Sequence, residues 1–283
     1  MKTILVTGGT GFVGTNLIKR LLSEGHKVIS IDNYHTGKKE NEQDGCKYYN
    51  LDVVNVSLEQ QLSFKEIDVI FHLAAVARIQ PSLKYPKQTF KANVEGTLNI
   101  LEIAKNNNIP VIYAGSSSFH HGLWGSPYAW SKHAGEQLCK LYSEVYGLNT
   151  TICRFYNVYG PYQLETGDYS TVLGIFERQY RNNEPLTITG TGEQRRDFTH
   201  VDDIVDGLYK CMGKEFKAEI FELGRGENFS INEIVDLFKS KRKYIPARKG
   251  EYDKTLCDYT KAKNLLEWIP NKNLEDYIKE IIE

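Results

Sequence analysis

Through its first half the chain alternates short, continuously apolar runs with stretches whose apolar positions recur every three to four residues. KTILVTG, KVISID, KYYNLD, DVIFHLAA, PVIYAGSS and TTICRF read as six strands. FVGTNLIKRLLSEG reads as an amphipathic helix, and longer helical patterns run over 86–106 and 128–146. Strands that are apolar at every position, not every second one, are buried on both faces. Strand–helix–strand repetition then predicts an α/β fold, a Rossmann-type doubly wound parallel sheet. After Gly160 the rhythm changes: loops lengthen, turn residues cluster in GTGEQRRD, and a charged helical tail begins near Asn228. The expected division is a dinucleotide-binding domain over 1–160, to which 201–223 returns as a helix and strand. A smaller interleaved α/β substrate domain is expected over 161–200 and 224–283.

TGGTGFVG, residues 7–14, puts four glycines into seven positions directly after an apolar run. Each glycine is entropically costly and needs a reason. A strand before, a helix after and an acid ending the second strand supply one together. Gly9, Gly11 and Gly14 fit GxGxxG; Gly8, Gly11 and Gly14 fit a wider GxxGxxG spacing. The early glycines permit a tight turn, Gly11 lets backbone approach a pyrophosphate, and Gly14 lets helix and strand pack closely. The helix N-terminus offers free N–H groups to phosphates. Asp32, eighteen positions beyond Gly14, can accept hydrogen bonds from a ribose diol and repels a 2′-phosphate, so NAD is expected over NADP.

AGSSSFHHGLWGSPYAWSK carries the second signal. Tyr128 and Lys132 lie four apart on a helix and therefore on one face. A free phenol, with a pKa of about 10, is a poor base at neutral pH; a neighbouring cation favours the phenolate. Lys132 is expected to supply that cation. The serines stand at a strand's C-terminal end, where such sheets bind ligands.

Composition narrows the class. The formal net charge of -1 argues against a nucleic-acid partner. The apolar run ILV is too short for a secretory leader, and no run of about 18 apolar residues exists to span a membrane. Five scattered cysteines form no CxxC pair, so neither a disulfide frame nor a zinc site is expected. These features point to a cytoplasmic protein.

TGGTGFVG, HLAA, SPYAWSK and RDFTHVDD together resemble the extended short-chain dehydrogenase/reductase family, and within it the NAD-dependent nucleotide-sugar epimerase/dehydratase group. The resemblance spans nearly the whole chain. It implies that Gly8, Gly11, Phe12, Val13, Gly14, Asp32 and Asn33 hold NAD and that Asp52 and Val53 border the adenine. It implies that Leu73, Ala74 and Ala75 line the cofactor cleft, with Asn93 on the nicotinamide side. Tyr128 would be the base and Lys132 its partner and ribose ligand. Counting back from Gly122 gives Ser117 as the catalytic serine; counting forward from the strand gives Ser116. Ser117 is the expectation, with Ser118 and Arg78 also on the substrate side. Asn157 would touch the diphosphate region, Arg196 and Arg248 would clamp it, and Glu251 would sit near the nucleotide ribose. A nucleotide-sugar substrate, UDP-linked, and a homodimer built through 86–106 and 128–146 are implied as well. Along the second helix Leu138, Leu141 and Val145 fall at helical spacing and read more simply as core.

Two departures from the family pattern stand out. Only ten residues separate Ser117 from Tyr128, a shorter loop than relatives carry, and His120 and His121 lie within it. Adjacent histidines in a loop are poor chelators, so no metal is expected. The dehydratases and decarboxylases of the group carry an acid two positions after the catalytic hydroxyl. Here that position is Phe119, or Ser118 if Ser116 is catalytic. Neither can protonate a leaving hydroxyl. NAD-dependent 4-epimerisation of a UDP-hexose or UDP-N-acetylhexosamine through a transient 4-keto sugar is therefore expected. An NADH-dependent keto-sugar reductase, a dehydratase or decarboxylase, and a non-catalytic NAD-binding scaffold are the alternatives. The residue that limits bulk near the sugar C2 falls around Thr255, a small side chain that leaves room for an N-acetyl group.

Overall fold

A computed structural model describes every residue except Val56, Lys249 and Glu251, together with all side chains except theirs and that of His121. Six strands appear where the apolar runs fall: β1 (Thr3–Thr7), β2 (Lys27–Asp32), β3 (Cys46–Asn50), β4 (Val69–His72), β5 (Val111–Ser116) and β6 (Thr150–Phe155). A further strand, Glu219–Leu223, pairs with β6 at the sheet edge. The seven run parallel in the order Glu219–Leu223, β6, β5, β4, β1, β2, β3. Chain order reverses between β1 and β4, which opens the crevice where such sheets take ligands. Because the strands are parallel, their last residues Thr7, Asp32, His72 and Ser116 share one edge.

The two faces bury separate cores, as the continuous apolar strands require. Ile4, Val6 and Phe71 pack with Leu17 and Ile18 of helix Phe12–Ser23 and with Ile204 and Leu208 of helix Val201–Cys211. Leu5, Ile70 and Ile152 on the opposite face pack with Ile100 and Leu101 of helix Gly96–Asn107 and with Cys139 and Tyr142 of helix Pro127–Tyr146. A third core, with Phe176, Ile188, Phe198, Ile234 and Phe238, holds the C-terminal elements together.

Two details differ from the pattern reading. The helix expected over 86–106 is Pro86–Phe90 followed by a wide π-type turn, Lys91–Glu95, and then Gly96–Asn107. Asn93 occupies the wide turn, and such turns collect at functional sites. On helix Pro127–Tyr146, Leu138 packs on the core, but Leu141 and Val145 are exposed. Four cysteines are buried, Cys46 is half-buried, and all five are free thiols.

Candidate active site

The glycine turn is dictated by contact with backbone. Gly8 has φ +75°, and a Cβ there would lie 2.9 Å from the Ala74 nitrogen. A Cβ on Gly14 would lie 2.1 Å from the Gly8 carbonyl oxygen, and one on Gly9 would lie 2.1 Å from Ser30 Oγ. A Cβ on Gly11, at the start of the helix, would lie 3.2 Å from the Gly8 carbonyl oxygen, closer than a side chain is usually accommodated. Gly14→Ala is expected to lower the unfolding free energy by about 1–3 kcal/mol, since the facing carbonyl cannot move aside cheaply. It should also strip most NAD from the purified protein. Thermal melts and the absorbance of released cofactor check both.

A cavity of about 610 Å³ opens at the C-terminal edge of the sheet, running from Gly8, Gly11, Phe12 and Val13 past Tyr128 to Arg248. At one end Asp32 accepts hydrogen bonds from the Thr10 nitrogen at 2.9 Å and the Tyr34 nitrogen at 2.8 Å, which fixes its carboxylate at the rim. Asn33 Nδ2 donates to Asp52 Oδ2 at 2.8 Å, and Val53 lines the wall beside them. Leu73, Ala74 and Ala75 form the floor after β4. Below it His72 bridges Thr7 at 2.7 Å and Thr97 at 3.0 Å. Burial pushes this imidazole down to about 3, so it stays neutral. A glycine cradle at a helix N-terminus, followed by a fixed carboxylate and an apolar floor, is a donor set that fits a dinucleotide.

Asn93 corrects an expectation: it does not face the cavity. Its Oδ1 accepts from the Val76 nitrogen at 2.7 Å, and its Nδ2 donates to the Val76 carbonyl at 3.0 Å and to Ser131 Oγ at 2.9 Å. The wide turn aims this amide inward, where it ties the segment after β4 to the Tyr128 helix.

That helix is set by its first residues. Ser126 Oγ caps it by accepting from the Ala129 nitrogen at 3.1 Å, and Pro127 occupies the first turn. Tyr128 then faces the end of β5, and its hydroxyl donates to Ser116 Oγ at 3.4 Å. The serine beside the phenol is thus Ser116, not Ser117 as expected. The chain turns into a short 3₁₀ segment at Ser117, and Ser116, the last strand residue, keeps its side chain against Tyr128. Ser117 and Ser118 still line the cavity.

The expected charge relation also shifts. Burial raises the Tyr128 phenol above its ordinary range, while the Ser116 hydrogen bond and the Arg78 guanidinium draw it back. Among the described residues the cation whose charge lowers it is Arg78. Lys132, buried on the same helix, has Nζ 4.3 Å from the centre of the Tyr113 ring. Burial pushes its ammonium down to about 8, opposed by Glu136 one turn on.

Arg196, Arg248, Asn157 and Thr255 line the cavity as well. Asn157 Nδ2 spends both hydrogens on the Asp197 carbonyl at 3.0 Å and Thr255 Oγ1 at 3.2 Å. The expected diphosphate contact would therefore meet its carbonyl oxygen, leaving the donors to the two arginines. Glu251 lies outside the described residues.

The short loop is held by a buried ionic cluster that sequence reasoning missed. Arg154 donates to both Glu136 oxygens, at 3.0 and 2.7 Å, and to Glu222 at 2.9 Å. His120 Nε2 meets Glu222 at 2.8 Å, and Phe119 lies with its ring centre 3.7 Å from the Arg154 guanidinium carbon. A charge inside the buried strand TTICRF is the available signal. The His120 partner is a carboxylate, and among the described residues no cluster of His, Cys, Asp and Glu could hold a metal.

The profile of the NAD dependent epimerase/dehydratase family matches residues 4–224. The chain is 32% identical over 99% of its length to a putative UDP-glucose 4-epimerase of Methanocaldococcus jannaschii, of which it covers 97%. It is 30% identical over its full length to UDP-glucuronic acid decarboxylase 1 of Danio rerio, covering 72% of that protein. Its fold overlays the crystal structure of Thermotoga maritima UDP-glucose 4-epimerase with UDP-glucose at a TM-score of 0.94 and 31% identity, across 99% of this chain and 97% of that one.

Proposed function

The chain belongs to the NAD-dependent epimerase/dehydratase family, and on that premise we propose that it interconverts the C4 epimers of a UDP-linked hexose or a derivative of it. The observation that carries this reading is that, among the described residues, no acid lines the cavity beside the phenol. Among the described residues the carboxylates lining the cavity are Asp32, Asp52 and Asp168. The first two belong to the β2–β3 end, and Asp168 is exposed and paired with Lys84. Two positions past Ser116, where an eliminating enzyme needs its acid, stands the hydroxyl of Ser118, and Phe119 beside it packs on Arg154. A site with a base and no such acid supports oxidation and return at C4 over loss of water or carbon dioxide.

NAD, when bound, supplies the redox chemistry by taking the C4 hydrogen and giving it back. The backbone of Gly8 to Gly14 would hold its pyrophosphate, Asp32 its adenosine ribose and Lys132 its other ribose. Tyr128, as phenolate, accepts the proton of the C4 hydroxyl, and Ser116 shares the hydrogen bond across which it moves. Arg78 favours the phenolate through its charge. Arg196 and Arg248 hold the diphosphate while the hexose turns over, so that the opposite face of C4 is presented. Tyr128 then returns its proton to the C4 oxygen. Holding the reacting carbon in place through both poses is the main contribution of the protein. In this account 161–200 and 224–283 hold the nucleotide sugar. Exposed Leu98, Leu141 and Val145 support a homodimer, and five free thiols fit a cytoplasmic setting.

The test is a proton NMR time course with UDP-glucose, UDP-N-acetylglucosamine and UDP-glucuronate and no added cofactor. The H4 signal of a 4-epimer should appear while absorbance of reduced cofactor stays flat. Turnover only after addition of NADH, or release of carbon dioxide, would overturn the reading.

A further inference from the structure

Arg78 is the residue that the fold treats most unusually. It carries φ +110°, outside the regions an L side chain readily occupies. Strain of this kind persists only where the surroundings hold it, and it gathers at functional positions. Its side chain reaches into the cavity it shares with Tyr128. Nε donates to the Tyr169 carbonyl at 3.2 Å, and no carboxylate among the described residues forms an ion pair with the guanidinium. Burial disfavours its charge, and among the described residues the group that offsets this is the phenol of Tyr128. A cation left so in a concave site costs free energy until an anion meets it.

Ser118 makes a second, independent observation. It is 4% exposed, lines the same cavity, and its Oγ is buried with no hydrogen-bond partner. Buried hydroxyls are almost always satisfied, and an orphan at a cavity wall is a place for a ligand atom. Both groups lie at the reacting end, beside Tyr128. The cations placed for the diphosphate, Arg196 and Arg248, come from other segments of the chain, the strand Arg195–Asp197 and the loop after the strand Arg242–Ile245.

We propose that the hexose of the substrate carries a carboxylate, received by the Arg78 guanidinium and the Ser118 hydroxyl. A guanidinium presents paired N–H groups that match a carboxylate in one plane. The inference rests on the epimerase reading for the identity of the sugar nucleotide and narrows its class. The carboxylate can be C6 of a hexuronate or the lactyl acid on O3 of an N-acetylhexosamine; both present the same chemistry.

Calorimetric titration of the NAD-loaded protein distinguishes them. The ligands are UDP-glucuronate, UDP-N-acetylmuramate, UDP-glucose, UDP-N-acetylglucosamine and UDP alone. One of the two acids should bind about ten- to a hundredfold more tightly than its neutral counterpart, the worth of a charge-assisted hydrogen bond. Which acid wins identifies the position of the carboxylate. In Arg78→Met the affinity ratio between acid and neutral sugar should collapse to about one, Arg78→Lys should keep part of it, and Ser118→Ala should reduce it less. Retained NAD and an unchanged circular dichroism spectrum report folding of each variant. Equal affinity of the wild-type protein for acidic and neutral sugars would overturn the proposal. So would a loss in Arg78→Met that is the same for every ligand, UDP included, because the arginine would then serve the diphosphate. Binding is read without turnover, so a protein that prefers an acidic sugar yet does not epimerise it keeps this inference and loses the epimerase reading.

Discussion

Tyr128→Phe should lower turnover about 10²- to 10⁴-fold, the usual worth of a positioned proton-transfer group, while the protein keeps its NAD. The substitution removes one oxygen, whose hydrogen-bond partner is Ser116 Oγ. Ser116 retains the Ser118 nitrogen as a partner at 3.2 Å, so the end of β5 should not rearrange. The glycine turn, Asp32 and the floor after β4 are untouched. Turnover by NMR and cofactor released on denaturation read the two effects separately. The same assay ranks the serines: Ser116→Ala should lose more turnover than Ser117→Ala, since Ser116 accepts the hydrogen bond of the phenol. Loss of NAD together with activity would assign Tyr128 a binding role and leave the base elsewhere.

Arg154→Met should be the most destabilising single change in the Rossmann part of the chain, at about 3–5 kcal/mol, measured as a lowered urea midpoint. The side chains of Arg154 and Glu136 are 5% and 1% exposed, and Glu222 is 19% exposed. Removing the guanidinium strands two carboxylates in a low-dielectric pocket. Burial alone would raise the Glu222 carboxyl; His120 and Arg154 together bring it below its usual range. Without Arg154, burial acts on the Glu222 carboxyl with His120 alone to oppose it, so Glu222 takes up a proton more readily in the folded variant. Stability of the variant should therefore fall as pH rises and recover in part as pH is lowered, the reverse of an intact ion pair. Because the cluster grips His120 in the short loop and Glu136 one turn beyond Lys132, turnover should suffer in the fraction that stays folded.

The contrast between what was legible in the sequence and what was not follows the range of the interactions involved. The strands, the glycine turn, Asp32 and the Tyr128–Lys132 spacing are written within single segments, where periodicity and spacing are enough to read them. The wide turn at Asn93 is not local: it exists because Asn93 meets Val76 and Ser131, seventeen and thirty-eight positions away. The choice between Ser116 and Ser117 depends on where β5 gives way to a 3₁₀ turn, and element boundaries are poorly encoded by composition. Helical spacing singles out Lys132 as the charge beside the phenol. Arg78 also acts on the phenol, from the segment that follows β4, and no pattern along the Tyr128 helix announces it. Arg154 left a trace, a charge in a buried strand, but its partners Glu136 and Glu222 come from a helix and from the last strand of the sheet.

The central claim is that one hydrogen leaves C4 and the same hydrogen returns to it while Tyr128 moves only the hydroxyl proton. It is tested most directly by running the reaction in D₂O with unlabelled UDP-sugar and reading the product by NMR. The account predicts a 4-epimer with protium at C4 and at its neighbours C3 and C5, because no carbon-bound hydrogen passes through solvent. Deuterium at C5, with loss of the C6 substituent or of carbon dioxide, would mean elimination or decarboxylation and would contradict it.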